Sequence, residues 1–60
     1  MREVKPGEQY RDDESGSLYT VLSVNGRRCK VVILHRDGHR YVWDSFTALV
    51  LDMEAVGMRV

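Results

Sequence analysis

The sequence predicts a small, mainly β domain, a three-stranded antiparallel meander curled into a barrel, with one short helix near the C-terminus. Three observations carry that expectation. Asn25-Gly26 and Asp37-Gly38 are hairpin-turn dipeptides. The segments they separate, residues 18–24, 27–36 and 39–44, are rich in β-branched and aromatic residues. After Asp44 the apolar spacing changes to Phe46, Leu49, Val50, Met53 and Val56, which is one helical face.

Taken in order, Pro6-Gly7 is a turn signal that leads into a short first strand over residues 8–11. Residues 12–17 contain no apolar side chain and read as an exposed, mobile loop. Type I′ turns at both dipeptides would set the register of the meander. The first places Leu22 opposite Cys29 and Thr20 opposite Val31; the second places Leu34 opposite Tyr41, Ile33 opposite Val42 and Val32 opposite Trp43. One face then carries Leu18, Leu22, Val24, Cys29, Val31, Ile33 and Val42, and the other Tyr19, Val21, Val32, Leu34, Tyr41 and Trp43.

Both faces are apolar, whereas a sheet with one wet side alternates more cleanly. The sheet is therefore expected to curl around one face, with the other covered or used for binding. The helix is expected over residues 45–55, capped by Asp44 or Ser45 and stopped at Gly57. A strand over residues 47–51 competes with it, and residues 58–60 are placed to pair as a last short strand.

Length and composition narrow the function. The 60 residues make a single domain, residues 1–60. A chain of this size buries only about 60% of its unfolded surface, so help from association is expected. Cys29 is the only cysteine, which rules out an internal disulfide and points to a reducing compartment. One Cys with His35 and His39 does not complete a zinc site. The first residues lack the apolar stretch of a signal peptide, and no apolar run approaches the roughly 20 residues that span a bilayer. A soluble, cytoplasmic protein without cofactor or metal is the expectation.

Formal net charge is zero, so there is no whole-molecule pull toward nucleic acid or acidic membranes. The middle is nonetheless basic, with Arg27, Arg28, Lys30, Arg36 and Arg40 against Asp37 alone, and both ends are acidic. No enzyme is expected. Cys29 shares a face with Val31 and Ile33, which makes a thiol inert, and neither histidine has an evident acid to orient it. Asp12, Asp13 and Glu14 are consecutive and read as loop solvation.

Two surfaces remain. Tyr19, Tyr41 and Trp43 form an aromatic face suited to a protein partner, since Trp and Tyr carry much interface energy. Arg27, Arg28, Lys30, Arg36 and Arg40 form the alternative, a nucleic-acid surface of phosphate contacts with Tyr41 or Trp43 for stacking. Ordinary hairpin-flanking charge accounts for the basic residues as well. A homodimer through the aromatic face, or through the helix edge at Leu51 and Ala55, follows from the excess of apolar surface.

The order Lys5-Pro6-Gly7-x-x-Tyr10-Arg11-Asp12, then Tyr19 to Gly26, Val32-Ile33, Gly38, Phe46 and Gly57-Met58-Arg59-Val60 resembles a group of small phage and prophage proteins. It also resembles SH3-like barrels of the Tudor and KOW type. The likeness spans nearly the whole chain through short elements and brings no catalytic motif. It implies an SH3-like barrel and a phage accessory factor acting in the host cytoplasm, docking on a host or defence protein.

Overall fold

The computed structural model describes residues 3–58. These residues form β1 (Glu8–Arg11), β2 (Leu18–Asn25), β3 (Arg28–Leu34), β4 (Arg40–Phe46), α1 (Thr47–Leu51) and β5 (Glu54–Met58). All pairings are antiparallel, and the strand order is β4-β3-β2-β1-β5. The mainly β architecture and the meander are as expected. Among the described residues the sheet is open, with β4 and β5 as its edges, and does not close into the expected barrel.

The first strand has the expected bounds. The turn before it is closed by the Glu8 N–H donating to the Lys5 carbonyl at 3.2 Å, and Gly7 N–H then reaches the Val21 carbonyl at 2.8 Å. The loop after β1 is not slack. The Asp12 carboxylate accepts from Glu14 N–H at 3.1 Å and from the Ser15 hydroxyl at 3.1 Å, while Gly16 N–H donates to the Asp12 carbonyl at 2.7 Å. An Asp at a turn start can satisfy the next backbone donors in this way, and here it ties residues 12–17 into a compact turn.

Both hairpin registers differ from the expected ones, the first by two residues beside the turn and by one beyond a bulge, the second by one. At the first turn only Gly26 has positive φ, at +63°, so the central residues are Gly26 and Arg27, and Asn25 pairs with Arg28. A glycine at the first central position is the requirement of a type II′ turn. Cys29 therefore pairs with Val24, not Leu22, and Leu22 is the extra residue of a bulge between Val21 and Ser23. At the second turn Gly38 N–H donates to the His35 carbonyl at 3.0 Å and His35 N–H to the His39 carbonyl at 2.7 Å. With Gly38 at φ +94°, this is a three-residue loop, one longer than expected. Ile33 pairs with Tyr41, Val32 with Val42 and Val31 with Trp43.

Each slip displaces β3 against a neighbour, and a slip of one residue exchanges faces. The inner face carries Tyr10, Tyr19, Val21, Val24, Cys29, Val31, Ile33, Tyr41 and Trp43. The outer face carries Leu18, Lys30, Val32, Leu34, Arg40, Val42, Asp44 and Phe46. Tyr19, Tyr41 and Trp43 thus share a face as expected, but their neighbours there are Val31 and Ile33 in place of Val32 and Leu34. The bulge at Leu22 adds twist to β2, bending the sheet around the core of Val4, Tyr10, Val21, Cys29, Val31, Ile33 and Val50.

The C-terminal expectation is corrected most. The helix spans only Thr47–Leu51, so neither 45–55 nor a strand over 47–51 holds. Asp44 and Ser45 belong to β4, and Phe46 is the N-cap with no side-chain bond. Gly57 lies inside β5, opposite Gln9. Five residues of helix are too few to persist alone, whereas residues 54–58 gain ladder bonds to the otherwise open edge of β1. Only Val50 of α1 is fully buried, and Phe46, Leu49 and Val56 are exposed. The helix therefore plugs the core and leaves the outer sheet face uncovered. Residues 59–60, part of the expected last strand, lie outside the described residues.

Candidate protein interface on the edge strand

β4 is fully paired to β3 and, among the described residues, has no strand on its other side. Its inner-face aromatics continue the core rows one strand too far to be covered, while Ser45, opposite Cys29, is buried. Tyr41 extends the row Tyr10–Tyr19–Ile33 and Trp43 extends Val21–Val31. Ile33 and Val31 are buried, but Tyr41 is 37% exposed and Trp43 59%. The two rings meet edge to face at 6.1 Å and 84°, a favoured aromatic geometry. Tyr19, two strands inward, is half-buried. Burial, then the Asp12 carboxylate and Tyr41, push its phenol pKa up.

A hydrogen-bonded chain not legible in the sequence holds the rim of this patch. Ser15 Oγ lies 3.1 Å from Asp12 Oδ2 and 3.0 Å from Ser17 Oγ. Ser17 Oγ lies 3.1 Å from His35 Nδ1, and His35 Nε2 lies 3.2 Å from the Tyr41 hydroxyl. The His35 ring also packs against Tyr41 at 5.2 Å and against His39 at 6.2 Å. The expectation that no acid orients a histidine is corrected here: Asp12 acts on His35 through two hydroxyls. The signal was the serine pair in the acidic loop, which has no meaning until the second hairpin folds over it. Ser17 is 1% exposed, so its hydroxyl is a structural link and not an accessible nucleophile.

The basic residues do not gather around the aromatics. Arg28, Lys30 and Arg40 share the outer face, opposite the one that carries Tyr41 and Trp43. Arg28 lies over the Phe46 ring at 5.2 Å. Arg27 is in the first turn, its carbonyl accepting from Thr47 N–H at 2.9 Å. Arg36 lies along the acidic loop, with its Cδ where a side chain at Gly16 would sit. A shallow cavity of about 300 Å³ beside Arg28 and Lys30 also includes Asp44, Ser23 and Asn25, so its lining is of mixed charge.

Cys29 is buried, and burial first, then Asp44, push its thiol pKa up. That favours the inert protonated form. Among the described residues no cluster of His, Cys, Asp and Glu is arranged to hold a metal ion. No described helix is long and apolar enough to cross a membrane. No family model matches the chain, and comparison with curated proteins and with solved structures gives no match either.

Proposed function

We propose that this chain is a small SH3-like barrel that serves as a protein-binding module, without catalytic chemistry, and that it docks through the β4 edge. The observation that carries the reading is the exposure of Tyr41 and Trp43 side by side on a strand whose far edge has no partner among the described residues. Edge strands are usually blunted because their free backbone groups invite pairing. An edge that instead displays Trp and Tyr is suited to strand addition, where backbone bonds supply affinity and the flanking rings supply specificity. The bulged β2 and the single helical turn leading back into β5 are in keeping with an SH3-like barrel. A role as a phage accessory factor in a host cytoplasm rests on the sequence resemblance alone.

The test is capture from a bacterial lysate on immobilised wild type, Trp43→Ala and Tyr41→Ser, with nuclease added. The expected result is a protein retained by wild type after nuclease treatment and lost from both variants. Equal retention by the variants would overturn the edge as the docking surface. Capture that vanishes with nuclease and falls steeply with salt would assign the chain to nucleic acid through Arg27, Arg28, Lys30, Arg36 and Arg40.

A further inference from the structure

We infer that the β4 edge is self-complementary and pairs with the β4 edge of a second copy, antiparallel and centred on Val42. This rests on the docking reading of that edge and names its occupant. The backbone comes first. Antiparallel pairs alternate between residues that exchange hydrogen bonds and residues that do not. His35 N–H bonds the His39 carbonyl and Thr47 N–H bonds the Arg27 carbonyl. The bonded positions of β4 are therefore 39, 41, 43, 45 and 47. The backbone groups of Arg40, Val42, Asp44 and Phe46 point away from β3, into the open edge.

The side chains choose among the registers these groups allow. Residues 40–44 read Arg-Tyr-Val-Trp-Asp, which is symmetric in chemical character about Val42. With Val42 opposite Val42 of the second copy, each Arg40 faces Asp44 of the other chain on the outer face. Each Tyr41 faces Trp43 of the other chain on the inner face. Opposite charges and aromatic rings directly across an antiparallel pair are the favourable combinations. Centring on Tyr41 places Arg40 opposite Val42, and centring on Trp43 places it opposite Phe46. Both leave every charge unpaired.

Neither charge is held in an ion pair among the described residues, where Arg11–Glu54 is the single one; Asp44 lies opposite Lys30 in the β3–β4 register without bridging to it, and Arg40 lies opposite Leu34. The contact is two-fold and isologous, which closes at a dimer. A standard interface takes about 800 Å² per partner, under a fifth of the 4557 Å² that this chain exposes. Pairing of one strand falls at the small end of the range, so the dimer is sought up to high micromolar concentration.

The experiment is sedimentation velocity of the full chain from low to high micromolar concentration, on wild type, Arg40→Asp, Asp44→Arg, their mixture and the double variant. Both residues are exposed, and circular dichroism checks that each variant folds. Wild type is expected to shift from monomer to dimer. Each single variant sets like charges opposite each other twice and weakens the dimer at least about tenfold. An equimolar mixture of the two single variants recovers a heterodimer, and the double variant recovers a homodimer, because both restore opposite charges across the pair. A wild type that stays monomeric at high micromolar concentration, or a dimer indifferent to either reversal, would overturn the inference. Lysate capture that still depends on Trp43 in a monomeric protein would confine the failure to self-pairing. Loss of both would remove the docking reading too.

Discussion

β3 and β4 are each seven residues long, both carry apolar side chains on both faces, and they pair with each other from Arg28–Phe46 to Leu34–Arg40. Yet β3 buries Cys29, Val31 and Ile33, whereas β4 buries only Ser45. The difference lies in position. β3 has a strand on each side, and the curl brings Val21, Val50 and Tyr10 over its inner face. β4 sits where the curl ends, and α1 is too short to extend the cover. Alternation in a sequence specifies which side chains share a face; the neighbouring elements specify whether that face is dry.

The largest expected effect comes from the matched pair Val31→Ala and Val42→Ala, followed by urea denaturation at low micromolar concentration. Val31 is fully buried and Val42 is 55% exposed. Truncating Val31 should cost about 2–3 kcal/mol, from lost burial plus a cavity. Truncating Val42 should cost under about 0.5 kcal/mol. Equal costs would mean that β4 is covered as well as β3.

The turn between the two strands is the next target. Gly38 has φ +94° and open space around its missing Cβ, so Gly38→Ala tests backbone strain with no steric clash. A loss of about 1 kcal/mol is expected. Amide and Hα NOEs sharpen the same point: Hα contacts between Val32 and Val42 and between Lys30 and Asp44 must appear, and one between Leu22 and Cys29 must not.

Ser17→Ala should cost about 1 kcal/mol by removing the buried link between Ser15 and His35. The Tyr41 ring resonances should shift with it, since His35 then loses its anchor. Unmoved Tyr41 resonances would show that the edge aromatics are set without the hydroxyl chain.

The smallest effect concerns the far edge. Arg11 Nη2 donates to Glu54 Oε2 at 2.9 Å, joining β1 to β5, and Arg11 holds the Glu54 carboxyl below its ordinary pKa. A carboxyl depressed in the folded state contributes stability above its ordinary range, and that contribution is lost as pH falls through the folded value. Both side chains are half exposed, so solvent screens the pair. Glu54→Gln should leave the melting temperature at neutral pH nearly unchanged and flatten its dependence on pH only on the acidic side, in a series read by circular dichroism.

Local chemistry made much of the molecule legible in advance. Val, Ile, Tyr and Trp between turn dipeptides determined three strands, Pro6-Gly7 marked the start of β1, and alternation put Tyr41 and Trp43 on one face of β4; Tyr19 shares that face because the two register shifts exchange faces twice and cancel. The inert burial of Cys29 was readable in the same way. What the residues could not specify were choices between nearly equal local alternatives. Asn25-Gly26 suits two positions in a hairpin turn, and Asp37-Gly38 suits a loop of two residues or three; the first ambiguity shifts the pairing of β3 by two places, of which the bulge at Leu22 takes back one, and the second shifts it by one. Val50 and Leu51 suit helix or strand, and only the open edge of β1, which captures residues 54–58, decided that the helix ends after five residues.

The amino-acid sequence by itself determined the strands, the turn sites and the chemistry displayed on each alternating set, because these depend on side-chain shape and on backbone preferences within a few residues. The tertiary structure alone decided the registers, the early end of the helix, the joining of Asp12 to His35 through Ser15 and Ser17, and the exposure of Tyr41 and Trp43. Those outcomes depend on which distant segments meet, and the free energy that selects among them comes from burying Val21, Val31 and Val50 together, which no segment achieves alone.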